Sequence, residues 1–115
     1  RVSPKVTRLS AAIATVLHIE SSDLRAVDPQ RPSEIELLLA IRNRSAVAVA
    51  FPAIELTLTD SREQTVARRI FLPAEYLGNS TQTTAFAAGH ELPIQLFLET
   101  GRLRAAGYRL YLFYP

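Results

Sequence analysis

The sequence predicts an all-β domain, an immunoglobulin-like antiparallel β-sandwich of six or seven strands with a short N-terminal helix. Three observations predict it. Several segments alternate apolar and polar residues with a period of two, as strands half-buried on one face do. Turn-forming residues cluster between these segments at short, regular intervals. The connections are too short for the helical crossovers that parallel strands need, which leaves antiparallel pairing. Two sheets whose apolar faces meet in the middle satisfy all three.

Residues 1–16 are expected to form a helical segment ahead of a sandwich spanning 17–115. Ser3-Pro4 suits a helix start, with Ser at the N-cap and Pro at the first helical position. Val6, Leu9, Ile13, Val16 and Leu17 then recur at near-helical spacing. The strands follow. "LHIESSDL" is the first, closed off by the "DPQRPS" break. "EIELLLAIRN" places Ile35, Leu37, Leu39 and Ile41 on one face. "AVAVAF" is a possible short strand. "AIELTLTD" and "TVARRIFLP" flank a hairpin loop, "DSREQ". "ELPIQLFLE" sets Leu92, Ile94, Leu96 and Leu98 against Pro93, Gln95, Phe97 and Glu99. Pro93 inside that run argues for an edge strand or a bulge, because proline cannot donate to a ladder. "YRLYLFYP" is apolar on both faces, as a central or covered strand would be. Burying a face residue such as Leu37 or Leu96 stabilises by roughly 1.5–3 kcal/mol.

Composition narrows the function classes. The chain has 115 residues, 48% hydrophobic and 21% charged, which suits one globular domain rather than a disordered one. It has no Cys, so it offers no disulfide, thiolate nucleophile or cysteine metal site. No run of eighteen apolar residues is present to span a membrane as a helix, and no signal-peptide pattern precedes the body. The chain does not begin with Met, so it is expected to be a soluble fragment of a longer protein. Net charge is +2, but the excess sits at Arg1, Lys5 and Arg8 ahead of the first acid, Glu20. The body beyond is close to neutral and lacks the basic stripe of a nucleic-acid binder. The N-terminal basic stripe could rest on anionic lipid, but a helix docked on the sandwich is the favoured reading.

The runs "FPAIELTLTDSREQTVARRIFLPAEYL", "FAAGHELPIQLFLE" and "AAGYRLYLFYP" resemble one bacterial family, the domain of unknown function three-four-two-six. The resemblance covers about residues 17 to 115. It implies an architecture: a cytoplasmic zinc ribbon, a linker, one transmembrane helix, and then this domain on the periplasmic side of the inner membrane. It implies no activity and no catalytic residues. It also implies a cysteine pair ahead of the first strand, and here this sequence departs, with Ser10 and Thr15 in that region.

Five features of the sequence bear on function. Pro73, Glu75, Tyr76 and Leu77 in "LPAEYLG" form a candidate protein-binding loop, since Tyr is favoured at interfaces. The structural reading of the same residues is that Pro73 ends a strand and Tyr76 caps the open end of the sandwich, its hydroxyl bonded to nearby backbone. That structural reading is preferred, and the loop is kept as the segment to test. His18 and His90 are too few and too far apart in sequence for a zinc site, so no metal and no cofactor is expected. No Gly-x-Ser-x-Gly elbow or Gly-rich phosphate loop occurs, and no enzyme is expected. The aromatic end, Tyr108, Tyr111, Phe113 and Tyr114, reads as core packing rather than a stacking platform. "NRS" at Asn43 and "NST" at Asn79 match the glycosylation pattern but read as turns. The expected function is therefore a non-enzymatic module that binds a protein partner in the cell envelope, by a loop or by strand addition. The alternative is binding of a lipid or small apolar ligand between the sheets. The residues name no partner and no oligomeric state.

Overall fold

The computed structural model describes residues 3–9, 16–78 and 85–115. The fold is all-β. Its strands are β1 (Ser3–Leu9), β2 (Leu17–Asp28), β3 (Arg31–Asn43), β4 (Ala53–Thr59), β5 (Thr65–Phe71), β6 (Glu91–Glu99) and β7 (Gly107–Phe113). One helix, α1 (Pro73–Leu77), follows β5. A four-stranded sheet runs β1-β7-β4-β5 and a three-stranded sheet runs β2-β3-β6.

The period-two segments become these strands, with their apolar rows turned to one shared core. In the three-stranded sheet Leu24 pairs with Leu37, and Leu37 and Leu39 pair with Leu96 and Ile94. In the other sheet Ile54, Leu56 and Leu58 lie opposite Leu112, Leu110 and Tyr108. All of these side chains are buried in a single cluster to which both sheets contribute. Local polar bonds set the turns. The Asp28 carboxylate accepts the Gln30 amide at 2.9 Å, closing the β2–β3 hairpin. Asp60 accepts the amides of Arg62 and Gln64, at 2.8 and 3.0 Å, between β4 and β5. Pro93 sits on β6, which is an edge strand. The doubly apolar β7 is central, and Tyr111 and Phe113 stack with ring centroids 5.6 Å apart.

The N-terminal helix is corrected over Ser3–Leu9, where the chain is strand β1, paired in parallel with β7. Two local features compete with the helical spacing. Val6 and Thr7 are β-branched and favour extended backbone, and Pro4 is tolerated at the start of an edge strand. The open flank of β7 offers a full ladder, whereas a short helix must find a partner to be stable. The parallel pairing needs no crossover, because β1 and β7 lie at opposite ends of the chain. The expected helix over residues 10–15 lies outside the described residues. "AVAVAF" is not a strand: only Val49 pairs, in an isolated bridge to Phe86.

Candidate functional site

The segment after β5 folds as it does because of three residues. Pro73 takes the first helical position, where its missing amide costs nothing. The Glu75 carboxylate turns back to accept the Leu72 amide at 3.0 Å and the Arg69 guanidinium at 3.2 Å. The Leu72 amide above all holds the Glu75 carboxyl below its usual range; partial burial opposes this and Arg69 adds to it. Arg69 in turn lies 4.6 Å over the ring of Phe71, the buried last residue of β5. Gly78 ends the helix at φ 58°, ψ −145°, a conformation open essentially to glycine.

Tyr76 projects from α1 into the end of the core. Its ring packs against the buried cluster and its hydroxyl donates to the Pro52 carbonyl at 2.6 Å. Burial, with a smaller contribution from Tyr114, pushes its phenol well above the ordinary range. Tyr114 donates to the Ala50 carbonyl at 2.9 Å, so two tyrosine hydroxyls pin the segment leading into β4. Phe51, between the two pinned carbonyls, stacks on Phe86 at 5.5 Å.

Asn43 ties the same end together from the three-stranded sheet. It is fully buried. Its amide group donates to the carbonyls of Val47 and Phe86, each at 2.9 Å. Its side-chain oxygen accepts from the amide and hydroxyl of Ser45, at 2.9 and 2.8 Å. Its backbone bonds to His90 and Gly89, which holds the 87–90 turn against β3.

Between α1 and the start of β6 these elements leave an open cleft of about 270 Å³. Tyr76, Leu77, Phe51, Phe86, Leu92 and Pro93 line it. Leu72 stands at the entry to α1, 47% exposed. Among the sequence-named residues, Pro73, Glu75 and Tyr76 build and anchor the loop, and Leu77 lines the cleft. The exposed features around this end are Leu72, the cleft and the neighbouring edge of β6. Phe97 on that edge is 61% exposed. Leu72 is the first residue of the loop that the sequence marks, Leu72 to Gly78. Sequence reasoning passed over Phe97, which did carry a signal, an aromatic in the polar row of an alternating strand.

The two histidines stay apart in role. His18 lies on β2 and His90 is exposed in the turn before β6. Among the described residues no group of three or more His, Asp or Glu side chains could hold a metal ion. Among them too, no helix is long and apolar enough to cross a membrane.

Residues 14–112 match the family model described as Protein of unknown function (DUF3426). Neither a curated protein nor a solved structure matches the chain.

Proposed function

We propose, from the premise that this chain belongs to the DUF3426 family, that it is a non-enzymatic protein-interaction module on the periplasmic side of a membrane-anchored bacterial protein. The observation that carries the interaction reading is the meeting of α1 and the β6 edge around one open, largely apolar cleft, with Leu72 exposed at the entry to α1. Apolar side chains held in water beside an unpaired strand edge favour a macromolecular contact. The periplasmic placement rests on the zinc ribbon and single span that the family resemblance implies. The runner-up, an apolar ligand between the sheets, is disfavoured because Leu37, Leu56, Leu96 and Leu110 already fill that space.

We read the two sheets as an immunoglobulin-like sandwich. Lettering β2 to β7 as A to F gives a sheet A-B-E and a neighbouring sheet with C beside F, the pairings of that fold. β1 occupies the place of strand G beside F but runs parallel to it, and β5 joins C rather than E, two departures from that fold.

The test is capture from bacterial envelope extract with the native domain and a Leu72→Lys variant as baits. Leu72 is chosen over Glu75 and Tyr76 because replacing those would also loosen the loop. A partner held by the native bait and released by the variant supports the reading. A partner held equally by both moves the site away from α1, and capture of none contradicts an interaction module.

A further inference from the structure

Among the described residues β6 is an edge strand of the three-stranded sheet and pairs only with β3, so every other amide and carbonyl of β6 faces away from the ladder. α1 covers its start, near Leu92 and Pro93. The stretch from Ile94 to Glu99 lies beyond it. Alongside this stretch the flank between the two sheets opens as a slot of about 200 Å³, with Leu56, Leu58, Ala67, Leu98 and Leu103 as its apolar lining and Arg68, Arg69, Glu99 and Thr100 as its polar lining. A space of about 150 Å³ accommodates benzene, so the slot accepts a branched or aromatic side chain.

The outward row of β6 states a second requirement. Phe97 is 61% exposed and has no apolar partner directly across the ladder, since its opposite residue is Glu36. Two residues on, Glu99 lies opposite Glu34 in register, placing two carboxylates side by side on one face. Like charges directly opposite are unfavourable; Arg31 already lies 3.6 Å from the Glu34 carboxylate and Glu99 accepts the Gly101 amide at 3.1 Å, which leaves Glu99 as the acid that an incoming cation meets. A second β6 would bring only Glu91 and Glu99, with no cation. The β5 strand of a second copy would bring Ile70 and Arg68 to the outward row, but it would turn Arg69 toward a slot that already holds two arginines, Arg68 and Arg69.

We propose that the Ile94–Glu99 edge binds an extended segment of a partner protein by strand addition. Its inward side chains are aliphatic, one filling the slot; outward it sets an aromatic or β-branched residue opposite Phe97 and a Lys or Arg opposite Glu99. This rests on the interaction reading above and specifies the partner.

The probe is the blocked peptide Lys-Leu-Tyr-Val-Thr-Val, antiparallel to β6, with a control in which Glu replaces the Lys. The expected result is binding of the Lys peptide with slowed amide exchange across Gln95–Glu99. The Glu peptide should bind about tenfold more weakly at low salt, and Phe97→Lys should weaken the Lys peptide about as much. Equal affinity for both peptides, protection elsewhere, or no binding of either overturns the proposal. So does self-association of the chain that Phe97→Lys abolishes, which assigns the edge to a second copy. If the envelope partner is lost with Leu72→Lys but kept with Phe97→Lys, the interaction reading stands and strand addition falls.

Discussion

The hydroxyl of Tyr76 donates a 2.6 Å hydrogen bond to the carbonyl of Pro52, joining α1 to the segment that leads into β4. The bond spans elements far apart in sequence, and it fixes where the candidate loop can sit. Tyr76→Phe keeps the ring and removes the donor, leaving a carbonyl unpaired. The expected loss is about 1 kcal/mol in urea unfolding. The phenol is raised by burial, so the contribution of its neutral form is complete below the ordinary tyrosine pKa of about 10 and is lost at higher pH. Stability of the native domain should therefore fall above that pH more steeply than stability of Tyr76→Phe.

Gly78→Ala tests the other end of the helix. Nothing lies within 4 Å of where its Cβ would be, so the cost comes from the backbone and not from crowding. A side chain at φ 58°, ψ −145° is expected to cost about 1–3 kcal/mol, or to shift the helix end. Thermal unfolding reads the first outcome, and exchange of the Gly78 amide, bonded at 3.3 Å to the Ala74 carbonyl, reads the second.

Asn43 should be the most sensitive polar position. Asn43→Ala leaves the Val47 and Phe86 carbonyls without their side-chain donor and is expected to cost about 3 kcal/mol. Asn43→Asp keeps an acceptor for Ser45 but sets a carboxylate against those two carbonyls. It should be worse than Ala at neutral pH and recover in acid, as measured by denaturant midpoints.

The exposed network on the three-stranded sheet predicts a pH dependence. Glu20 accepts from Arg44 at 3.0 Å and from Arg42 at 3.2 Å, and Arg42 also reaches Glu91 and the Gly89 carbonyl. The Arg44 hydrogen bond first, then the charges of Arg44 and Arg42, hold the Glu20 carboxyl below its usual range against an opposing burial effect. A carboxyl lowered on folding stabilises above its unfolded pKa, and this is lost as pH falls through the folded value. Glu20→Gln should therefore lower stability modestly at neutral pH and leave it little changed in acid, so that the acid limb of the profile flattens.

Much of the fold was legible because alternation and burial coincide. Ile35 to Ile41 and Ile54 to Leu58 bury the row their sequence pattern marks, as do Ile94 and Leu96 on β6, with Leu92 and Leu98 half-buried at its ends. Pro93 located an edge, and Tyr111 with Phe113 located a central strand. What stayed hidden depends on neighbours distant in sequence. Ser3–Leu9 has helical spacing, yet the free flank of β7 makes it a strand. Val49 has strand composition, yet it finds only Phe86 to pair with. Asn43 read as a turn residue, and only the approach of Phe86 makes it a buried anchor. At the candidate loop the residue types suggested recognition, but Glu75 and Tyr76 are engaged inward, and the exposed large apolar side chain there is Leu72.

The central claim is that the flank formed by α1 and β6 meets a protein. The most direct test places a photo-crosslinking amino acid at position 72, 97 or 27 of the full-length protein in living bacteria. Val27, 52% exposed on the edge strand β2, serves as the control. Protein adducts from 72 and 97 and none from 27 are the predicted result. Adducts from 27 alone, or from none of the three, would contradict it.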